Sequence, residues 1–276
     1  MRMDKKVYDI NTYRNVNVKI VQISDIHFSY NYKLSRLQNV IDKIDDINPD
    51  YVCIVGDLID EYDIVSSAEF SFFVDWLKKL SSKYKVIISL GNHDFIVKKG
   101  KKYCEKFDID WLLNIKDDNM IVLNNAIYSE NGINFIGYNP DFKYYYDFKE
   151  KNNIKYNNEL SNLINNLNGY NILLLHTPSM ITVDDNYKII NGFNLIDLVL
   201  CGHTHGGMIP SFFPGSFGIV SPYKSLFPKC VRGKKKCGKA DLIISSGIVK
   251  LSRKSNLTKL NDIYSYNINV INIKKI

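Results

Sequence analysis

The sequence predicts an α/β fold in which β-sheets lie in the middle and helices cover them. Short apolar runs rich in β-branched residues recur along the chain, and stretches with helical periodicity separate them. The order is strand, helix, strand, helix, strand, and then more strands with fewer helices. We find no linker rich in Pro, Gly or Ser and no internal repeat, so we expect a single domain over residues 1–276.

Eight runs are predicted to be strands. Most of them are almost continuously apolar, which is typical of strands buried on both faces of a sheet. They cover residues 18–25, 50–57, 85–92, 133–139, 170–176, 197–203, 241–247 and 266–273.

Three stretches between these runs are predicted to be amphipathic helices, because their apolar residues recur at spacings of three and four. They extend from Leu34 to Ile47, from Phe70 to Leu80 and from Leu160 to Leu167. Residues 102–115 are predicted to form another helix. We expect the apolar stripes to pack against the sheets as ordinary core.

Composition and charge narrow the class of protein. Of 276 residues, 45% are hydrophobic and 24% are charged, which is typical of a globular protein with a sizeable core. A net charge of +7 permits an anionic substrate but does not establish nucleic-acid binding. The first residues lack the apolar core of a secretory signal, and no segment offers the ~20 apolar residues of a membrane span. We therefore expect a cytoplasmic protein.

The cysteines do not predict disulfides. There are five, an odd number without a CxxC pair, namely Cys53, Cys104, Cys201, Cys230 and Cys237. This usage favours a reducing compartment. Cys53 and Cys201 lie inside apolar runs and are expected in the core. The spacing of Cys230 and Cys237 matches no usual zinc pattern, which disfavours a separate metal site there.

Residues 206–240 form a long irregular connection that holds most of the prolines, several Phe residues and a basic run. Long loops of this kind are often functional. The lysines are expected to face solvent. A peripheral contact with the inner face of the membrane is the alternative, because aromatic residues lie beside the lysines.

Residues with metal-binding chemistry follow the predicted strands. All five histidines lie at such strand ends, namely His27, His93, His176, His203 and His205. In α/β proteins, ligands bind outside the carboxyl ends of the strands. In extended backbone, residues i and i+2 point to the same side, so Asp25 should converge with His27, and His203 with His205.

These two pairs, together with Asp57, Asn92 and His176, make seven candidate metal ligands. Imidazole and carboxylate suit Zn, Fe, Mn and related divalent ions. Seven ligands are too many for one tetrahedral ion, but they suit two ions that share a bridging carboxylate. Two ions about 3.5–4 Å apart form the clamp used in phosphoryl displacement.

The motifs themselves form a recognisable series, in which "DIH" is residues 25–27, "GDLID" is 56–60, "GNHD" is 91–94 and "GHTHGG" is 202–207. With the lone His176, this series resembles the calcineurin-like metallophosphoesterases over residues 18–207. The resemblance implies a four-layer α/β/β/α sandwich with mixed sheets, a dinuclear metal centre and hydrolysis of phosphoric esters.

The resemblance also implies roles for individual residues. The first metal would be held by Asp25, His27, Asp57 and His205, and the second by Asp57, Asn92, His176 and His203. The two divalent ions would be Mn, Fe, Zn or Co, with Mn favoured. The nucleophile would be a hydroxide that bridges the metals and attacks phosphorus in line with the leaving oxygen.

Three further acidic or basic groups complete the implied site. His93 would stabilise developing charge and protonate the leaving oxygen. Asp60 would hydrogen-bond and orient His93. Asp94 is usually structural in this family and is a secondary candidate.

The segment after "GHTHGG" resembles a bacterial subgroup of the family. Its members include membrane-associated phosphodiesterases and enzymes that act on the pyrophosphate bond of UDP-diacylglucosamine. This chain departs from that pattern at Met208, where Gln is common, and in its C-terminal residues. Many members carry an apolar N-terminal anchor, which we do not expect here because the first residues form no long apolar run.

We expect a phosphodiesterase, and its candidate substrates include lipid-linked esters. A nuclease or nucleotide phosphodiesterase is the alternative. A non-catalytic metal-binding scaffold is a third hypothesis, but such proteins lose ligands and this sequence retains them all. An apolar groove lined by Phe212, Phe213 and Phe217 would favour a lipid substrate, whereas an open basic trough would favour nucleic acid.

Overall fold

The structure is a computed structural model. It describes residues 3–30, 32–60, 62–99, 102–105, 109–140, 145, 158–182, 185, 187–188, 190–208, 218, 230–248 and 266–276.

Fourteen strands occur within these ranges. In chain order they are β1 (Met3–Thr12), β2 (Val18–Ile23), β3 (Tyr51–Val55), β4 (Lys85–Ser89), β5 (Ile96–Lys99), β6 (Lys102–Glu105), β7 (Met120–Leu123), β8 (Ala126–Glu130), β9 (Ile133–Gly137), β10 (Tyr170–Leu174), β11 (Leu198–Cys201), β12 (Gly233–Cys237), β13 (Ala240–Ile244) and β14 (Tyr266–Lys275).

The helices of the described ranges are mostly short. They are α1 (Leu34–Ile47), α2 (Phe70–Ser81), α3 (Asn92–Phe95), α4 (Asp110–Leu113), α5 (Asn158–Ile164) and α6 (Ser179–Thr182). Single 3-10 turns occur at Tyr62–Ser66, Phe193–Leu195 and His205–Met208. None of these described helices combines the length and apolar character required to cross a bilayer.

Two six-stranded sheets form the centre of the fold. Sheet I has the order β1-β14-β2-β3-β4-β7, and sheet II has the order β12-β13-β11-β10-β9-β8. Strands β2, β3, β4 and β7 run parallel, as do β13, β11, β10 and β9. Antiparallel pairs join β14 to β2, β12 to β13 and β8 to β9, so both sheets are mixed.

Three apolar layers hold these elements together. The layer between the sheets contains Cys53 and Ile87 from sheet I and Phe135, Leu174 and Leu200 from sheet II. Alternate residues of the same strands point outward, because side chains alternate between the faces of a sheet. Helices α1 and α2 cover the outer face of sheet I, and α5 and α6 cover that of sheet II. The predicted four-layer α/β/β/α sandwich is confirmed.

The prediction of a helix over residues 102–115 is wrong for most of its length. Residues Lys102–Glu105 form β6, which pairs antiparallel with β5, and the helix covers only Asp110–Leu113. Strand pairing within this small two-stranded sheet overrides the local apolar spacing. The third amphipathic helix is confirmed, although it ends at Ile164 rather than Leu167.

Several edge strands were not predicted, for a common physical reason. Strands β1 and β12 expose many of their side chains and therefore carry no continuous apolar run. The prediction that Cys53 and Cys201 lie in the core is confirmed, since both are buried.

Candidate metal centre

The candidate metal centre lies where the carboxyl ends of five strands meet. Sheet I contributes residues after β2, β3 and β4, and sheet II contributes residues after β10 and β11. All nine predicted site residues lie there, namely Asp25, His27, Asp57, Asp60, Asn92, His93, His176, His203 and His205. Asp94 lies in the same turn as Asn92 and His93.

Among the described residues, three groups have metal-binding geometry, and within each group one potential ligand atom of every residue lies within 4.8 Å of the others. We call Asp57, His176 and His203 the buried cluster, and Asp25, His27 and His205 the open cluster. The third group joins His27 to Asp60 and His93. The open cluster contains three of the four ligands predicted for the first metal, and the buried cluster three of the four predicted for the second.

Asp57 lies between the clusters. Its Oδ2 is 3.1 Å from Nε2 of His176 and 3.4 Å from Nε2 of His27. Its Oδ1 accepts a hydrogen bond of 2.9 Å from the backbone N–H of His93. One carboxylate therefore reaches both clusters, as a bridging ligand requires.

Buried polar atoms in this region fit a pair of divalent cations. Among the described residues, Nδ1 and Nε2 of His27 and Nε2 of His176 are buried without a hydrogen-bond partner. Leaving such atoms unsatisfied is costly. One cation could bind Nε2 of His27 and another Nε2 of His176, while Nδ1 of His27 faces the carboxylate of Asp60 at 3.4 Å. This donor set of imidazole and carboxylate suits Mn, Fe, Zn or Co.

The backbone at the site is left-handed, not extended. Positive φ angles occur at five of the site residues, namely Asp25 (52°), His27 (46°), Asp57 (55°), His203 (68°) and His205 (45°). The side chains do converge, but the extended backbone assumed in the prediction is wrong. Non-glycine residues rarely adopt this conformation, and strained backbone of this kind concentrates at functional sites.

The loops pack so closely against the carboxylates of Asp57 and Asp25 that there is no room for a side chain at two neighbouring positions. A Cβ atom at Gly91 would collide with Oδ1 of Asp57, and one at Gly247 would lie 2.8 Å from Cβ of Asp25. Only glycine lets these backbones approach the two carboxylates so closely.

Hydrogen bonds fix the orientation of two histidine rings. Nδ1 of His176 donates to the carbonyl of Val55 at 2.8 Å, which leaves Nε2 facing Asp57. Nδ1 of His93 donates to the carbonyl of Asp60 at 2.6 Å. A carbonyl can only accept, so both rings carry a proton on Nδ1 and keep Nε2 for chemistry.

Asp60 contacts both His27 and His93. Its carboxylate lies 3.4 Å from Nδ1 of His27 and 3.8 Å from Nδ1 of His93. The closest contact with His93 therefore comes from the backbone carbonyl of Asp60 and not from its side chain.

Asp94 organises the loops around the centre. Its fully buried carboxylate accepts backbone hydrogen bonds of 2.8 to 3.3 Å from Asp57, Leu58, Ile59 and Gly91. These four bonds tie the turn after β3 to the turn after β4, which supports the structural role that the resemblance implies.

Burial and charge set the protonation of the site. Burial raises the pKa of Asp57, but His176, His93 and His27 outweigh it and hold the pKa well below its usual range. Burial lowers the pKa of His176, but the charges of Asp57 and Asp25 raise it to about 9. Burial lowers the pKa of His203 and of His205. Carboxylate and neutral imidazole are the forms that bind metal, so a cation bound by His176 would displace the proton that the raised pKa keeps on its Nε2.

One residue beside the centre was not predicted. Tyr145 is buried, and its ring centroid lies 5.2 Å from that of His203 and 6.3 Å from that of His176. It occurs within a run of three tyrosines, so the sequence carries no signal that singles it out. Phe212, Phe213 and Phe217, and with them the predicted lipid groove, lie outside the described residues.

The four-layer sandwich and the paired clusters at its strand ends are the features that the resemblance to metallophosphoesterases implies. A model of the calcineurin-like phosphoesterase family matches residues 18–207. The chain belongs to this family, whose members are dinuclear metal-dependent phosphoesterases.

Two curated relatives illustrate the match. The chain is 30% identical over 200 residues to the uncharacterized metallophosphoesterase Cj0846 of Campylobacter jejuni, covering 71% of this chain and 46% of the relative. It is 28% identical over 239 residues to the uncharacterized metallophosphoesterase YkuE of Bacillus subtilis, covering 83% and 71%. The chain thus spans about half the length of the Campylobacter relative.

Among solved structures, the calcineurin-like phosphoesterase YfkN from Bacillus subtilis is similar to this chain. The identity is 16%, the match covers 84% of this chain and 82% of that chain, and the TM-score is 0.46.

Proposed function

We propose that this protein is a phosphodiesterase that uses two divalent cations, with Mn²⁺ favoured. The observation that carries the proposal is the position of Asp57. Its Oδ2 lies 3.4 Å from His27 of the open cluster and 3.1 Å from His176 of the buried cluster. Two ions that share this carboxylate would be held close enough to act on one phosphoryl group.

The ligands divide between the clusters. Asp25, His27 and His205 would hold one cation, and Asn92, His176 and His203 would hold the other, with Asp57 shared by both. Asn92 is buried at the start of α3, next to His93. When bound, the cations polarise the phosphoryl oxygens and lower the pKa of the attacking water.

His93 is proposed to protonate the leaving oxygen. It is the most exposed of the described site histidines, with 36% of its side chain accessible. Its Nδ1 is held by the carbonyl of Asp60, so Nε2 is the nitrogen that can donate a proton to substrate. Asp60 is proposed to position this ring, with its carboxylate facing both His93 and His27.

The preference for a diester follows from the resemblance of the segment after "GHTHGG" to a subgroup whose members include phosphodiesterases.

Chelation tests the proposal. Metal-free protein should not hydrolyse bis(4-nitrophenyl) phosphate, and added Mn²⁺ should restore turnover. The mono-ester 4-nitrophenyl phosphate should be a poorer substrate at equal concentration. Activity that survives both chelation and His93→Ala would contradict the proposal, and equal rates on both esters would contradict the diester preference.

The resemblance to the membrane-associated subgroup extends the proposal to lipid-linked diesters and pyrophosphates. A panel should therefore include a UDP-linked glycolipid, a cyclic nucleotide and single-stranded DNA. Hydrolysis of the glycolipid would support the subgroup and a peripheral contact with the inner membrane face. Preferential hydrolysis of DNA, with binding that falls steeply as salt rises, would support a nuclease instead.

A further inference from the structure

Three buried amide side chains lie beside the metal centre but contribute no ligand to it. Gln22 is on β2, and Asn267 and Asn269 are on β14; their exposed fractions are 0%, 4% and 0%. Asn269 lies directly opposite Gln22 in the antiparallel register of these strands. Two residues away on the same strands, Ile20 and Ile271 lie in the apolar layer between the sheets. Amide side chains therefore take the place of aliphatic ones at the end of this layer nearest the site.

The three side chains connect the backbone of Ser246 to the backbone of Cys201 through four hydrogen bonds. The backbone N–H of Ser246 donates to Asn267 at 3.0 Å, Asn267 donates to Asn269 at 2.7 Å, and Asn269 donates to Gln22 at 3.0 Å. Gln22 then donates to the carbonyl of Cys201 at 2.8 Å. We call Gln22, Asn267 and Asn269 the amide ladder.

The ladder admits one satisfied arrangement. Every amide in it uses an N–H to donate and its oxygen to accept, and all four bonds point the same way. Flipping one amide would place donor against donor in a buried layer, where an unsatisfied group costs about 1–3 kcal/mol. The two ends are already neighbours in sheet II, because the backbone N–H of Ser245 donates to the same carbonyl of Cys201 at 2.8 Å. What the ladder fixes is the distance of sheet I, which carries the three amides, from this end of sheet II.

Both ends of the ladder lead to the open cluster. Cys201 is followed by the turn that carries His205. At the other end, a Cβ on Gly247 would lie 2.8 Å from Cβ of Asp25, and a Cβ on Gly206 would lie 2.9 Å from Oγ of Ser246. Residues 245–248 are thus packed between Asp25 on one side and the loop of His205 on the other.

The two clusters differ in how they are held across the sheets. In the buried cluster, His176 itself bonds from sheet II to Val55 of sheet I. In the open cluster, Nε2 of His205 lies 3.7 Å from Asp25, and its buried Nδ1 has no hydrogen-bond partner among the described residues. The ring of His205 therefore depends on its backbone for its position. That backbone is held directly by the N–H of His203, which donates to the carboxylate of Asp25 at 3.0 and 3.2 Å, and the ladder adds a further tie between the sheets.

We infer that the amide ladder is a positioning device for the open cluster. It sets the separation of Asp25 from His205 and thereby the affinity of this cluster for a divalent cation. The inference rests on the proposed function, because it requires that the two clusters bind metal.

Calorimetric titration of the metal-free protein with Mn²⁺ tests the inference in the variant Gln22→Met. This substitution keeps the volume of the side chain and removes two of the four hydrogen bonds of the ladder. Loss of a group that orients metal ligands typically weakens metal binding about 10- to 100-fold. We expect that loss for one of the two Mn²⁺ ions and an unchanged affinity for the other. At limiting Mn²⁺ the turnover rate should fall accordingly, while KM at saturating Mn²⁺ stays unchanged.

Asn171→Leu is the matched control. Asn171 is also fully buried, donates to the carbonyl of Leu195 at 2.8 Å and accepts from Asn134 at 2.7 Å. It lies near the amino end of β10, five residues before His176 and therefore about 16 Å away along the strand. The control should lower the melting temperature as much as Gln22→Met does, but should leave both Mn²⁺ affinities unchanged.

A second variant keeps the inference testable if Gln22→Met does not fold. Asn269→Leu interrupts the ladder at its centre and should weaken the same Mn²⁺ ion. The double variant Gln22→Met/Asn269→Leu should bind that ion no more weakly than either single variant, because one break already interrupts the ladder. It also removes both partners of the hydrogen bond between Asn269 and Gln22, so it should lower the melting temperature by less than the sum of the two single losses.

The outcomes separate the two proposals. If the unsubstituted protein binds no Mn²⁺, the proposed function fails. If it binds two ions and folded Gln22→Met or Asn269→Leu binds both with unchanged affinity, the ladder inference fails and the proposed function stands. Equal weakening by Asn171→Leu would also overturn the inference, since any loss of stability would then suffice.

Discussion

The buried and open clusters have similar ligands in different surroundings. Asp57, His176 and His203 are 1%, 0% and 4% exposed. In the open cluster, Asp25 and His27 are also buried, at 0% and 7%, and the difference lies in His205, of whose side chain 23% is accessible. The neighbouring side chains of His93 and Asp60 are 36% and 47% accessible.

This difference teaches how one centre can combine stability with access. The buried cluster is fixed by the bond from His176 to Val55 and closed off by Tyr145. The open cluster meets solvent beside His93, where a substrate can approach. We therefore expect the buried cation to organise the site and the open cation to exchange and to meet the substrate.

The largest expected effect comes from removing the shared carboxylate. Asp57→Asn keeps the shape of the side chain but removes the charge that lies between both clusters, so the cations would repel each other without screening. Turnover should fall to the assay background, and elemental analysis should find at most one metal ion per chain. Asp45→Asn, which alters a surface carboxylate paired with Lys83, should change neither quantity. Two retained ions in Asp57→Asn would refute the bridging role.

The second expected effect separates proton transfer from metal binding. His93→Ala should lower turnover roughly 10²- to 10⁴-fold, which is the usual contribution of a general acid, and leave metal content unchanged. The loss should be greater for a diester with an alkyl leaving group than for one with 4-nitrophenol, because nitrophenolate leaves without a proton. Equal losses on both substrates would mean that His93 does not protonate the leaving oxygen.

The third prediction compares the clusters directly through His205→Ala and His203→Ala. Each substitution should weaken the binding of one cation by more than the 10- to 100-fold loss that is typical of groups that only orient the metal ligands. Added imidazole should restore binding in His205→Ala, where the side chain is accessible, and not in His203→Ala, where it is buried. Calorimetry with and without imidazole measures both. Rescue of both variants would show that the clusters do not differ in access.

The same two variants should differ in stability. Without metal, His203→Ala should lower the free energy of unfolding by about 1–3 kcal/mol, because it opens a cavity in a buried region. His205→Ala should stay within about 0.5 kcal/mol, as is usual for partly exposed positions. Urea denaturation of the metal-free proteins provides the values.

Much of this centre could be predicted from the sequence, because its candidate metal ligands occur in short motifs at strand ends. The convergence of Asp25 with His27 was visible as i and i+2 spacing, whereas His203 and His205, which have the same spacing, lie in different clusters. The reason given for it was not correct, since these residues are left-handed. Backbone conformation of this kind depends on the contacts between loops, and a local spacing rule does not contain them.

Long-range partners escaped prediction for the same reason. Gln22 and Asn269 are 247 positions apart and bond only because β14 returns to pair with β2. Tyr145 reaches His203 from a stretch with no distinguishing pattern. Sequence patterns indicate which residues can bind metal, whereas the groups that position them emerge from the topology.

The smallest expected effect concerns the order in which the cations leave. Protein loaded with Mn²⁺ and mixed with excess chelator should release metal in two phases. A barrier that is about 1.4 kcal/mol higher for the buried cation would make its release tenfold slower. A metal-sensitive dye in a stopped-flow instrument can resolve such phases. The fast phase belongs to the open cluster, so it should be absent in His205→Ala protein that carries one ion. A fast phase that persists in this variant would reverse the assignment, because the accessible cation would then be the one bound by His176 and His203.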